Sequence, residues 1–248
     1  MKREIIFIFV ILLIINQTLI SGNNDSLKDT IDKTIQNYID SLLIPGISTA
    51  VILNGEIAYK KSFGFSNLEY DIPMTDSSVY RVWSISKQIC AVAILKIYED
   101  GKLNLDDKIS IYLDNIPETW KNITIKQLLN HTAGIKDYLN NYPEGEKLNG
   151  RSFEEVADST STPLFEIGTG WSYTNTGYWV LTKIIEKLTG TSYQQYIKKV
   201  FFDPCQMKDT RKMDFRSVIK NRVSGYKQVD GKQQNSTRYL DENHVADG

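Results

Sequence analysis

Two apolar periods alternate along this chain. After an unbroken apolar run from Ile5 to Ile15, the residues Leu27, Ile31, Ile35, Tyr38, Ile39 and Leu42 recur at three- and four-residue spacing. That spacing predicts an amphipathic helix, capped by Ser26 and stopped by Pro45-Gly46. The β-rich runs Ser48 to Leu53 and Ile57 to Phe63 meet at Asn54-Gly55, a strong two-residue hairpin signal, and predict two antiparallel strands. Residues 65–78, with Pro73, read as a loop. Then Ile85, Ile89, Cys90, Val92, Ala93, Ile94, Leu95 and Ile97 point apolar groups in nearly every direction of a helical wheel. They predict a helix buried on all sides and ended by Gly101.

Beyond it, residues 103–117 read as turns and short helices on the surface, with Asp106-Asp107 and Asp114-Asn115 as the turn signals. Thr124 with Gln127, Ser152 with Glu155, and Ser192 with Gln195 each have the spacing of a helix-starting capping box. Between the first two, residues 137–161 are the least regular stretch, a candidate loop over a binding cleft. Leu181, Ile184, Ile185 and Leu188 line one helical face opposite Lys183, Glu186 and Lys187, and Gly190 closes that helix. The following helix carries Tyr196, Ile197, Val200 and Phe201. From Lys208 onward the chain turns polar, with a strand from Arg222 to Val229 before an Asp230-Gly231 turn. Helices and antiparallel strands in this order make the fold class α+β.

Composition narrows the function classes. The 248 residues are 41% hydrophobic and 24% charged, as in ordinary globular proteins, with a formal net charge of −1. No basic run is present, so a nucleic-acid partner is not expected. No Cys/His cluster has metal-ligand spacing, and neither a metal nor a cofactor is expected. Cys90 and Cys205 read as small core residues. Lys2 and Arg3 before the apolar run, with Ser21-Gly22 after it, read as a secretory signal over residues 1–22 that delivers a domain of residues 23–248 to the periplasm or the exterior. The run is shorter than the ~20 apolar residues of a membrane span. Contact with a membrane is expected only if that segment stays uncleaved.

The chemistry gathers around Ser84 and Lys87, three apart, which a helix places one turn from each other on one face. A serine hydroxyl needs a neighbour to accept its proton, and a lysine can do so when desolvation keeps its amine neutral part of the time. Ser-x-x-Lys occurs three times, at Ser84/Lys87, Ser217/Lys220 and Ser224/Lys227, but only the first opens an apolar helix. The N-terminus of that helix also offers N–H groups for a developing oxyanion. In Tyr173-Thr174-Asn175, two side chains two apart offer a phenol that can relay a proton and an amide that can orient a substrate. His131, at the end of a short helix, reads as a structural hydrogen-bonding residue.

Taken together, Ser84-Ile85-Ser86-Lys87, Leu128-Leu129-Asn130-His131-Thr132-Ala133-Gly134-Ile135, Tyr173-Thr174-Asn175-Thr176-Gly177-Tyr178, Phe202-Asp203-Pro204 and Met207-Lys208-Asp209-Thr210 resemble the serine β-lactamase and penicillin-binding protein superfamily. The likeness is to its class C-like branch, with its esterases and D-alanyl-D-alanine carboxypeptidases, and runs from about Ser48 to the end. It implies a helical subdomain beside an antiparallel sheet flanked by helices. It implies Ser84 as the acylated nucleophile, Lys87 and Tyr173 as proton-transfer groups, and Asn175 as the residue binding a substrate amide. The substrate implied is a small molecule or peptide: a D-Ala peptide, a β-lactam or a small ester. An alternative is a non-catalytic ligand-binding member of the same fold. The superfamily's third motif, Lys or His with a small residue and Gly on a C-terminal strand, is not found; His244-Val245-Ala246 lacks the glycine. The resemblance therefore implies a chain cut short of its C-terminal strands, poorly stable and weakly active.

Overall fold

The computed structural model describes residues 24–141, 152–212 and 217–236. The expected signal segment, the centre of the irregular stretch 137–161 and the His244 region lie outside them. The described chain is α+β and divides into two compact units, one from residues up to 80 together with 219–236, the other from 81–218.

In the first unit, helix α1 (Asn24–Leu42) precedes strands β1 (Gly46–Leu53), β2 (Glu56–Asn67) and β3 (Ile72–Pro73), paired antiparallel in that order. Leu27, Ile31 and Tyr59 are buried together, with Ile35 and Val51 against them, so the first half of the predicted apolar face of α1 packs, while Leu42 at its far end is exposed. Beside this core Asp32 accepts hydrogen bonds from Lys61 and from the Tyr59 hydroxyl, and the Lys61 ammonium leads in holding its carboxyl below the usual 3.8. The hairpin turns where expected, because Asn54 and Gly55 have φ of 52° and 83° and a type I′ turn needs positive φ at both positions.

The stretch expected as a loop after Phe63 is partly strand. Gly64 takes φ of 70° where a Cβ would meet the Pro45 carbonyl oxygen at 2.3 Å, and this bend lets β2 continue to Asn67 and pair with Ile72 and Pro73. Pro73 is tolerated because the strand is at an edge. The expected C-terminal strand begins only at Tyr226: β4 (Tyr226–Val229) pairs with β5 (Lys232–Asn235) across Asp230-Gly231, again with positive φ at both turn residues. Ser224 N–H donates to Ser66 O at 2.9 Å, and Leu68 N–H to the Tyr226 hydroxyl at 2.8 Å.

The second unit is helical. A 3₁₀ turn (Trp83–Ile85) leads into α2 (Ser86–Glu99), followed by α3 (Ile125–Leu129), α4 (Phe153–Ser159), α5 (Asn175–Thr189) and α6 (Tyr193–Ile197), which runs on as a π turn over Lys198–Phe202. The capping boxes at Thr124/Gln127, Ser152/Glu155 and Ser192/Gln195 form with both reciprocal bonds. Cys90, Ala93, Ile94 and Ile97 of α2 join Leu181, Ile184 and Ile185 of α5, Leu128 of α3 and Trp120 in one core.

Three further expectations need correction. Helix α2 is not buried all round: Ser86, Lys87, Cys90, Ala93, Ile94 and Ile97 face inward while Val92, Leu95 and Tyr98 are 45–47% exposed. An apolar run without periodicity does not specify which side will pack, so the expectation had no basis for a side. Residues 103–117 are not all surface, since Leu103 and Ile109 are core residues beneath the turns. Cys205 is exposed and only Cys90 is buried; both are free thiols.

Replacing Ile184, which is fully buried between helices, by Ala is expected to cost about 2–5 kcal/mol, whereas Thr124→Ala removes one cap and costs about 1 kcal/mol. Urea unfolding followed by far-ultraviolet circular dichroism should rank the two in that order.

Candidate active site

Ser84 lies in the 3₁₀ turn and Lys87 in the first turn of α2, so the three-residue spacing stacks them as expected. Ser84 is exposed, while Lys87 is only 5% exposed and its Nζ donates to Ser84 Oγ at 3.3 Å. The loop before α5 brings up the other two residues named by the sequence. Thr174 is extended (φ −146°, ψ 133°) and Asn175 is already the first helical residue, so the pair straddles a loop-to-helix junction rather than lying in a loop. Tyr173 donates its hydroxyl to Ser84 Oγ at 2.6 Å, and Asn175 Oδ1 accepts from Lys87 Nζ at 2.6 Å. All four residues converge on one spot in the helical unit. Ser224, from another Ser-x-x-Lys pair, accepts instead from Asn67 Nδ2 at 2.9 Å in the strand unit.

Asp137 completes the arrangement, and its pattern in the sequence did not single it out. It is 8% exposed, and one carboxylate oxygen accepts from Asn175 Nδ2 at 2.9 Å and from the Asn175 backbone N–H at 3.3 Å. Its other oxygen accepts from Leu139 N–H at 3.1 Å. Thr174 occupies the N-cap position of α5 without a capping bond from its side chain, so this carboxylate does that work from another segment, at the helix end where a negative charge is favoured. A carboxylate only accepts, so it selects the NH₂ of Asn175 and turns Oδ1 toward Lys87. The result is a directed chain from Asp137 through Asn175 to Lys87 and Ser84. Only the apolar flanks Ile135 and Tyr138 hinted that this acid would be buried.

The aromatic surroundings are equally close. Lys87 Nζ lies 5.1 Å from the Tyr173 ring centre and 5.7 Å from that of Tyr178, within cation–π range. Tyr178 donates its hydroxyl to Leu129 O at 3.1 Å, and burial pushes its phenol up to about 12. His131 accepts the Thr174 N–H on Nδ1 at 3.2 Å, the kind of structural bond expected of it. Burial first, and the Lys87 charge second, hold its imidazole below the ordinary 6.5. Among the described residues, no group of three or more His, Cys, Asp and Glu side chains is placed to hold a metal.

Residues 31–247 match the sequence profile of the family described as Beta-lactamase. Penicillin-binding protein 4* of Bacillus subtilis is 33% identical over 177 residues, covering 69% of this chain and 39% of that protein. Among solved structures, a class C β-lactamase superposes with a TM-score of 0.76 at 25% identity, covering 91% of this chain and 61% of that one. An octameric penicillin-binding protein homologue from Pyrococcus abyssi gives 0.73 at 29% identity, covering 84% and 50%. The chain thus spans about two-fifths of the Bacillus subtilis protein's length.

A double-mutant cycle tests the buried pair. Asp137→Ala and Asn175→Ala, alone and together, are expected to show a coupling of about 0.5–3 kcal/mol in urea unfolding, because each removes the other's partner. Strict additivity would mean that the two side chains do not bond in solution.

Proposed function

Because this chain belongs to the β-lactamase family, we propose that it is a serine hydrolase that becomes acylated on Ser84, with Lys87 and Tyr173 moving the proton. One observation carries the reading: a single exposed serine oxygen is held at once by the Tyr173 hydroxyl at 2.6 Å and the Lys87 amine at 3.3 Å. General-base activation of a serine needs one neighbour that has shed its own proton and can accept the hydroxyl's, and either of these two titratable groups is within reach to serve.

In this reading Ser84 Oγ attacks the carbonyl carbon of an amide or ester. As the new C–O bond forms, the hydroxyl proton passes into the Tyr173–Lys87 pair. The tetrahedral oxyanion collapses, the bond to the leaving group breaks, and the pair returns the proton to the departing amine or alkoxide. Water then attacks the acyl-enzyme by the reverse proton route and restores Ser84. Asn175 is 6% exposed, with its oxygen on Lys87 and its nitrogen on Asp137. We therefore assign it first to holding Lys87, and contact with a substrate amide second.

The substrate class, a D-Ala peptide, a β-lactam or a small ester, draws support from the penicillin-binding and β-lactamase names of its relatives. Turnover by the whole protein is part of the same proposal. Export is supported by Lys2-Arg3 and the apolar run that follows.

Incubation with benzylpenicillin or an alkyl fluorophosphonate should add one covalent label by intact mass, absent in Ser84→Ala. Lys87→Ala and Tyr173→Phe should each slow labelling by about 10²–10⁴-fold. The reading fails if neither probe labels the protein, or if the label survives in Ser84→Ala.

A further inference from the structure

His131 holds the Tyr173 segment at two points. Its carbonyl oxygen accepts the Ser172 N–H at 3.0 Å, and its Nδ1 accepts the Thr174 N–H at 3.2 Å. These N–H groups belong to the residues on either side of Tyr173. The imidazole also lies against the Tyr173 ring, with centroids 4.7 Å apart and planes tilted by 35°, and Trp171 meets it edge-on at 6.0 Å. His131 also adopts φ of 60°, a left-handed conformation uncommon outside glycine. Such strain persists only where surrounding contacts over-determine it. Here they are the two bonds to the segment, and the bond from its own N–H to Leu128 O at the end of α3.

We infer that His131 is a positioning residue that clamps Tyr173 onto Ser84, and that the clamp closes only while Nδ1 carries no proton. The inference rests on Tyr173 being a proton-transfer group, as proposed above. A protonated imidazole has no acceptor nitrogen, so the Thr174 N–H would lose its partner. It would also set a second positive charge near Lys87. Among the described residues, the ionisable groups facing the ring are Lys87 from α2, Tyr178 from α5 and Tyr173 from the loop, so no carboxylate among them favours the cation. Burial and the Lys87 charge both disfavour it. The unfolded chain takes up this proton near pH 6.5, before the folded one does. Below that pH, proton uptake by the unfolded chain works against folding, and the clamp opens at the lower pH where the folded imidazole itself takes the proton.

The test has two arms. The chain has only two histidines, so imidazole ¹⁵N spectra of the wild-type protein are simple, and His131→Asn assigns them. At neutral pH, His131 is expected as the tautomer protonated on Nε2 with Nδ1 bare. A proton on Nδ1 would overturn the inference. In the second arm, penicillin or fluorophosphonate labelling is timed against pH for the wild type, His131→Asn and His131→Ala, each confirmed as folded by circular dichroism. The alanine variant is expected to label about 10²-fold more slowly. Asparagine should recover most of that loss, since its Oδ1 can accept the Thr174 bond and it tolerates the left-handed backbone. It should also lack the part of the acid-side fall that belongs to the imidazole. Equal rates for the two variants, or superimposable acid limbs for asparagine and wild type, would overturn the inference. If the wild type takes no label at all, the hydrolase reading fails by itself, and the tautomer decides the clamp.

Discussion

A lysine nitrogen withdrawn from water keeps its full demand for hydrogen-bond acceptors, and leaving that demand unmet costs several kcal/mol. Lys87 is in that position. Its amine reaches Asn175 Oδ1 and Ser84 Oγ and lies near the faces of two tyrosines. Asp137 takes the asparagine nitrogen and so leaves its oxygen for Lys87, and the buried carboxylate also receives the first N–H of α5 and that of Leu139. Helix α2, helix α5 and the segment after Gly134 are therefore tied by polar contacts as well as by the apolar core. Because each member depends on the next, loosening one bond disturbs the rest.

What was legible in the sequence is what depends on near neighbours. A capping box needs residues three apart, and all three formed. The type I′ turn needs Asn-Gly in place, and the hairpin appeared there. The inward face of α2 was not legible, because Val92 and Leu95 are as apolar as Ile94 and Ile97, and the inward stripe begins with the polar residues Ser86 and Lys87. Ser84, Lys87, Tyr173 and Asn175 could be read from the sequence in combination, since each belongs to a phrase with recognisable chemistry. Asp137 could not: its partner Asn175 lies 38 positions away, and a single acid at the edge of a polar stretch has no period or spacing to mark it.

Two non-glycine residues beside the site, Trp83 and His131, take positive φ, at 48° and 60°. Each is offset locally. The Trp83 carbonyl accepts the Ser86 hydroxyl at 2.7 Å, and its ring carries the Arg81 guanidinium at 3.7 Å. A bulky residue in this conformation immediately before Ser84 breaks the regular backbone there, so the serine sits on a turn ahead of α2 rather than within it.

The strand unit takes its pieces from both sides of the helical one: β1–β3 precede residue 81, and β4 and β5 follow residue 218. During synthesis, then, Lys87, Tyr173 and Asn175 are all made before the first residue of β4. At roughly 5–20 residues per second, the helical unit has a few seconds in which its own contacts can form before β4 and β5 are made. The order of translation thus favours the cluster around Ser84, in which Tyr173 and Ser84 are linked across 89 positions. Closing the sheet unit is the later event, set by the arrival of Tyr226 to Asn235.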